Sequence, residues 1–140
     1  MILYLDTSAL VKLVRVEDGS EAVWEATEAA QALASSTLAR IEVHSAFARL
    51  LREGQPSAAL SASLVEFEEL WAGVAQVAMD RTVDAACGLC LKHPLRTLDA
   101  IHLASALLIR EEGGLAVVFA CADERLREAA AAEGFQVCPR

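Results

Sequence analysis

The sequence predicts an α/β fold of three layers, in which a small parallel β-sheet lies between two layers of helices. Two apolar runs, Ile2–Leu5 and Leu115–Ala120, are too short for helices and read as strands. Because every position in these runs is apolar, both faces of each strand are expected to be covered, as in a parallel sheet. Helical segments alternate with strands along the chain, which is the pattern of a parallel α/β fold.

Turn and capping residues delimit the elements in the first half of the chain. Gly19 ends a loop after the first helix, and Gly54-Gln55-Pro56 separates two longer helices. The predicted elements are strand Ile2–Leu5, helix Ala9–Leu13, helix Ser20–Ala32, strand Leu33–Ser35, helix Thr37–Glu53, a helix from Pro56 to about Trp71, and strand Val74–Met79.

The second half is divided by His93-Pro94 and by Gly113-Gly114. Its predicted elements are a helix from Asp80 or Thr82 to Lys92, helix Leu98–Arg110 with Thr97 as its N-cap, strand Leu115–Ala120, helix Asp123–Glu133 and strand Phe135–Cys138. Helix Leu98–Arg110 is apolar around nearly its whole circumference, so we expect it to be deeply buried.

The length and charge of the chain limit its function. With 140 residues it is predicted to be one domain, 1–140, large enough to fold without disulfides. The net charge of −8 argues against a protein that binds nucleic acid or anionic membranes through a basic face. Carboxylates that bind divalent cations are an exception, because they contact phosphate through the metal.

A cytoplasmic location is expected from the cysteines and the amino terminus. The four cysteines are expected to be reduced, and Asp6 interrupts the first apolar run too early for a signal peptide. The charge-free stretch Leu115–Ala122 is too short to cross a bilayer, so no membrane association is expected.

Two acids occupy equivalent positions after strands. Asp6 follows Ile2–Leu5 directly, and Asp123 follows Leu115–Ala120 after two residues. In a parallel sheet both would lie at the edge where ligands bind. Each also suits the N-cap of the helix that follows, so capping and chemistry both remain open for them.

Two further acids lie on helices. Glu42 falls at the border of an apolar helix stripe, where a solvated role is the simpler alternative. Asp99 is in the first turn of the apolar helix, where it can interact with the helix dipole. A carboxylate in so apolar a segment also needs a partner, and the sequence offers Arg96 or a metal ion.

Several carboxylates at one edge of a sheet repel one another and raise each other's pKa unless a cation neutralises them. Mg²⁺ and Mn²⁺ prefer oxygen ligands and often complete their coordination with water and substrate phosphate. One or two such ions can activate water and stabilise the leaving oxygen of a phosphodiester. The acids therefore predict a metal-dependent phosphodiester chemistry.

Four segments resemble the motifs of PIN-domain proteins, in order and over the whole chain, with most likeness to the VapC-type toxins. The segments are Asp6-Thr7-Ser8-Ala9-Leu10, Ala39-Arg40-Ile41-Glu42-Val43, Leu98-Asp99-Ala100-Ile101-His102-Leu103-Ala104 and Ala122-Asp123-Glu124-Arg125-Leu126. The third is the most specific of them.

The resemblance implies a metal-dependent ribonuclease with a small parallel sheet, a homodimer that cleaves RNA and is blocked by a partner antitoxin. It implies that Asp6, Glu42, Asp99 and Asp123 are catalytic and bind one or two Mg²⁺ or Mn²⁺ ions.

Some residues near these acids have open roles. The hydroxyls of Thr7 or Ser8 are candidates to hold a metal-bound water or a phosphate. Cys121 occupies a position where the family often has Thr or Ser, and a thiol is a weaker hydrogen-bond donor beside Asp123. Arg96, together with other arginines near the acids, is a candidate for gripping the RNA backbone, with solvation or ion pairing as the alternative.

Other patterns favour structural roles. Cys87 and Cys90 form an isolated C-x-x-C that is expected to pack as small buried hydrophobes, since it lies inside a helix and offers too few ligands for zinc. His102 is expected to be a core histidine, with approach to substrate as the alternative.

Two rival functions remain to be compared with the nuclease. An aspartyl-phosphate phosphatase would have an acid two residues after Asp6, where this chain has Ser8, and a receiver would have its phosphorylated Asp after a later strand. A non-catalytic binding module with a vestigial site is the other alternative.

Overall fold

The computed structural model describes residues 1–140 and contains five strands and seven α-helices. In chain order the elements are β1 Ile2–Leu5, α1 Thr7–Val14, α2 Ser20–Ala29, β2 Ala32–Ser36, α3 Leu38–Arg52, α4 Ser57–Trp71, β3 Ala75–Val77, a 3-10 turn Met79–Thr82, α5 Val83–Lys92, α6 Thr97–Gly113, β4 Val117–Ala120, α7 Glu124–Ala132 and β5 Gln136–Cys138.

The five strands form one parallel sheet in the order β3-β2-β1-β4-β5. Side chains alternate between its two faces, so Tyr4 packs against α5, α6 and α7, while Leu3 and Leu5 pack against α1 to α4. The predicted three-layer α/β/α fold with a parallel sheet is confirmed.

Several predicted boundaries differ from the structure. Helix α2 ends at Ala29, and the predicted extension to Ala32 is wrong because Ala30 has an extended backbone. The N–H of Gln31 already donates to the carbonyl of Met1 at 2.9 Å, which starts the pairing of β2 with β1. Strand β3 stops at Val77, since the backbone turns into the 3-10 segment two residues later.

Helix α6 corrects two expectations. Thr97 is its first residue, and Arg96 occupies the N-cap position without a capping side-chain bond, so the predicted Thr97 cap is wrong. The middle of the helix, Ala100–Ala106, is buried as expected, but Leu98 at its start is 43% exposed.

The prediction that Cys87 and Cys90 are buried is wrong, because both thiols are free and exposed. Helix α5 packs against the core through Ala86 and Leu89, which turns the cysteine face towards solvent.

None of the helices combines the length and the apolarity that crossing a membrane requires.

Glu133 joins the end of α7 to the end of α5. Its Oε1 accepts hydrogen bonds from Lys92 Nζ at 2.5 Å and from His93 Nε2 at 2.6 Å. These two bonds and the charges of the same two side chains lower the pKa of Glu133. A carboxylate with a lowered pKa stabilises the folded state above its unfolded-state pKa and loses that contribution as the pH falls through its folded pKa.

We therefore expect Glu133→Gln to lower the free energy of unfolding at pH 7 by about 1 kcal/mol. The difference from the parent should shrink to nothing in acid, once Glu133 is protonated in both states. Urea unfolding at a series of pH values measures it, with the exposed Glu128→Gln on the same helix as control. Equal stability of Glu133→Gln and the parent at pH 7 would contradict the expectation.

Candidate metal centre

Asp6 and Asp123 lie at the carboxyl ends of two neighbouring strands. β1 and β4 are parallel and pair with Leu5 opposite Ala120, so both acids leave the sheet at the same edge. Ser8 connects the two strand ends: its hydroxyl donates to Asp6 Oδ1 at 2.6 Å and accepts from the N–H of Ala122 at 2.9 Å.

The side chain of Asp6 both caps α1 and keeps one oxygen free. Oδ1 accepts the Ser8 hydroxyl and the N–H of Ala9, the latter at 2.9 Å. Oδ2 accepts no hydrogen bond from the chain. Because every fully buried polar side-chain atom of the protein has a hydrogen-bond partner, Oδ2 is not fully buried and reaches solvent, although Asp6 as a whole is only 6% exposed. Asp6 can therefore cap α1 with one carboxylate oxygen and bind a ligand with the other.

Glu42 and Asp99 approach the same edge from two helices. Glu42 lies one turn into α3, and Asp99 is in the first turn of α6. The negative charge of Asp99 raises the pKa of Asp6, and the charges of Asp123 and Glu42 raise the pKa of Asp99. Asp99 is thus within electrostatic reach of each of the other three acids.

Burial is the largest cause of the altered pKa values. It raises the pKa of Asp6 to about 6, an increase that His102, Ser8 and the N–H of Ala9 oppose only in part. Burial also raises the pKa of Asp99, with the charge of Asp123 next in importance. Ionising Asp6 and Asp99 in the folded protein therefore has an energetic cost, as is common at functional sites.

Asp123 is the most exposed of the four acids. Its Oδ1 caps α7 by accepting the N–H of Leu126 at 2.9 Å. The thiol of Cys121 lies 3.8 Å from the carbonyl oxygen of Asp123 and makes no hydrogen bond to its carboxylate. Burial, together with the charge of Asp6, raises the pKa of Cys121, so the thiol stays protonated.

Thr7 and Arg96 have different surroundings. Thr7 is half-buried, with its hydroxyl 3.4 Å from His102 Nε2, and it helps to lower the pKa of Glu42. Arg96 is exposed, and its positive charge opposes the raised pKa of Asp99.

The donor set suits a hard divalent cation. Asp6, Asp99 and Asp123 take part in none of the ion pairs of the protein. No three His, Cys, Asp or Glu side chains are arranged as a ready-made metal cage. An open set of carboxylates is what Mg²⁺ commonly uses, because it keeps several waters and takes one or two carboxylates.

The sequence reasoning missed one connection at this site. His102 is buried as expected, yet its Nε2 reaches Glu42 Oε1 at 2.7 Å and its Nδ1 reaches the hydroxyl of Tyr4 at 2.9 Å. Two signals were available: His102 lies three residues after Asp99 on the same helix face, and Tyr4 brings a hydroxyl into an otherwise apolar strand.

The fold and these motifs agree with a known family. Residues 3–132 match the family described as PIN domain. The chain belongs to the PIN-domain family. This PIN domain is 38% identical to "Ribonuclease VapC49" of Mycobacterium tuberculosis, over 99% of the chain and 95% of that protein.

Solved structures of low sequence identity share the fold. M. tuberculosis VapC20, described as a "Sarcin-Ricin loop cleaving toxin", superposes with a TM-score of 0.61 at 19% identity, over 98% of this chain and 99% of that one. FitAcB from Neisseria gonorrhoeae superposes with a TM-score of 0.63 at 16% identity, over 99% of this chain and 96% of that one.

Proposed function

We propose that this PIN domain is a metal-dependent endoribonuclease and the toxin of a toxin–antitoxin pair. The observation that carries the proposal is that Asp6 and Asp123 leave the sheet at the same edge, with Asp99 close enough to interact electrostatically with both of them and with Glu42. Further support comes from the relatives at 34–38% identity, all of which are named VapC ribonucleases.

The four acids have distinct parts in this proposal. Asp6 is the central ligand, since its Oδ1 is held by Ser8 and Ala9 while Oδ2 is free for a cation. Glu42, Asp99 and Asp123 provide the further oxygen ligands in this proposal. When bound, one or two Mg²⁺ or Mn²⁺ ions supply an acidified water and neutralise charge on the phosphodiester.

The chain's own residues organise the site. Ser8 holds the ends of β1 and β4 together, which sets the separation of Asp6 and Asp123. The net charge of −8 disfavours RNA binding without a cation, so we expect metal to be needed for substrate binding as well as for cleavage. Arg96, beside Asp99, is the candidate contact for a phosphate.

Two partner proposals accompany the activity. By analogy with its VapC relatives, we propose that the chain forms a homodimer and that a cognate antitoxin blocks the carboxylate edge.

Cleavage of a structured RNA with and without chelator tests the activity. We expect endonucleolytic products with Mn²⁺ or Mg²⁺ present, and none in excess EDTA, because the proposed nucleophile is a water that the metal acidifies. Restoration by added Mn²⁺ controls for irreversible damage by the chelator. Cleavage that persists in EDTA would overturn the metal dependence, and no cleavage of any RNA in Mn²⁺ would favour a non-catalytic binding module.

A further inference from the structure

A buried chain of polar side chains leads from the centre of the sheet to Glu42. The hydroxyl of Tyr4 on β1 lies 2.9 Å from His102 Nδ1 on α6, and His102 Nε2 lies 2.7 Å from Glu42 Oε1 on α3. These three residues are far apart in the sequence, so the chain of hydrogen bonds exists only in the folded protein. Helix capping and other local interactions therefore do not account for it.

The imidazole in this chain has little freedom to move. Tyr4 is fully buried and His102 is 2% exposed. The Tyr4 ring stacks on Phe119 with centroids 5.2 Å apart and meets the imidazole edge-on at 6.0 Å. A close-packed interior leaves few alternative rotamers for such rings. The position of His102 Nε2 is thus set by the core rather than by Glu42.

The direction of each hydrogen bond follows from the groups involved. His102 and Thr7 lower the pKa of Glu42 against the opposing effect of burial, so its carboxylate is ionised and only accepts. His102 Nε2 must then carry the hydrogen. Burial raises the pKa of Tyr4, which therefore keeps its hydroxyl proton, and this hydroxyl lies 2.9 Å from Nδ1, the ring nitrogen that does not face Glu42. Tyr4 therefore fixes the ring orientation that turns Nε2 towards Glu42.

Glu42 needs such a restraint. It lies on a partly exposed face of α3, where a Glu side chain normally samples several rotamers. The bond from His102 occupies Oε1 and leaves Oε2 without a hydrogen bond from the chain. The charge of Glu42 already acts on Asp99 in this position.

We propose that His102, aligned by Tyr4, is a positioning residue that holds Glu42 so that its second oxygen joins Asp99 in binding the divalent cation. The inference rests on the proposed metal-dependent function and adds a residue to it. Partners that orient metal ligands commonly change metal affinity by about 10- to 100-fold when they are removed.

The test compares variants that differ in the hydrogen-bond donor that they present to Glu42. His102→Leu removes the donor but keeps an apolar side chain of similar size, and His102→Gln retains an N–H donor. Tyr4→Phe keeps the stacked ring and removes only the hydroxyl. The exposed His44→Gln on α3 is the matched control, and circular dichroism with urea unfolding checks that each variant is folded.

The main measurement is the Mn²⁺ dissociation constant, from the electron paramagnetic resonance signal of free Mn²⁺. We expect His102→Leu to weaken binding by about 10- to 100-fold. His102→Gln should recover most of that loss, Tyr4→Phe should lose less than His102→Leu, and His44→Gln should match the parent. Unchanged or tighter binding by His102→Leu would overturn the proposal, since His102 would then be irrelevant or would hold Glu42 away from the metal.

A double-mutant cycle separates positioning from a general structural effect. In a Glu42→Ala background, His102→Leu should weaken Mn²⁺ binding no further. The same loss in both backgrounds would show that His102 acts through the fold and would overturn the proposal.

Nitrogen NMR of the metal-free protein at pH 8 provides a reading that does not depend on metal or activity. It should find a hydrogen on Nε2 of His102, whereas an Nε2 without a hydrogen would overturn the proposal. If the parent binds Mn²⁺ and cleaves RNA but His102→Leu is unaffected, only the positioning role fails. If the parent binds no Mn²⁺, the proposed function fails and this inference fails with it.

Discussion

Asp6→Asn is expected to reduce RNA cleavage by at least about a hundredfold while leaving the protein folded. Asn keeps an acceptor for the Ser8 hydroxyl and the Ala9 N–H, and Asn is as good an N-cap as Asp. What it loses is the negative charge of the central metal ligand. The expected defect is therefore chemical rather than structural.

Initial rates of cleavage in saturating Mn²⁺ measure this effect. Asp84→Asn, an exposed acid in the first turn of α5, is the matched control and should cleave at the parental rate. Full activity of Asp6→Asn would remove Asp6 from the mechanism and leave it as a helix cap only.

The same substitution is expected to stabilise the metal-free protein. The pKa of Asp6 is raised from 3.8 to about 6, chiefly by burial, so its ionised form is less favourable in the folded than in the unfolded state. An acid with a raised folded pKa costs stability as the pH rises from the unfolded value to the folded one. A rise of about two pKa units corresponds to at most about 3 kcal/mol of penalty at pH 7, which Asp6→Asn removes.

Urea unfolding of parent and variant in EDTA, from pH 3.5 to 8, measures this difference. We expect equal stability in acid, a growing advantage for Asp6→Asn between about pH 4 and pH 6, and a constant advantage above. Adding Mn²⁺ at about 100 times its Kd should stabilise the parent by about 2.7 kcal/mol and the variant far less. A variant that is less stable than the parent at pH 8 in EDTA would mean that the charge of Asp6 serves the fold.

Much of the architecture could be predicted because local pattern and global fold agree. The apolar strands and the alternation of helix and strand were sufficient for the parallel sheet. The same pattern predicts that Asp6 lies at the carboxyl edge of the sheet, because the sequence shows both the end of the first strand and the acid that follows it.

What could not be predicted depends on contacts between distant residues. The exposure of Cys87 and Cys90 depends on which face of α5 packs against α6. Both faces of α5 carry apolar residues, so the sequence does not show which of them is buried. The end of α2 is set by pairing of Gln31 with Met1, which competes with helix propensity. The role of Ser8 in joining two strand ends likewise appears only once β1 and β4 are neighbours.

The link between His102 and Glu42 is a further example. Glu42 by itself reads as a solvated border residue, and His102 by itself reads as a satisfied core residue. The description of His102 is accurate, but Glu42 is partly buried and is bonded to His102 across 60 residues of sequence. Pairings of this kind appear only once the fold, with α3 on one face of the sheet and α6 on the other, brings the two side chains together, and they are not encoded in either helix alone.

The most direct test of the account is to locate bound metal by anomalous X-ray scattering from crystals soaked in Mn²⁺. We predict at least one Mn²⁺ peak at the carboxyl edge of the sheet, about 2.1 Å from an oxygen of Asp6 and bonded to at least one of Glu42, Asp99 and Asp123. No peak at this edge under saturating Mn²⁺, or a peak that contacts none of these acids, would contradict the claim that they form one metal centre.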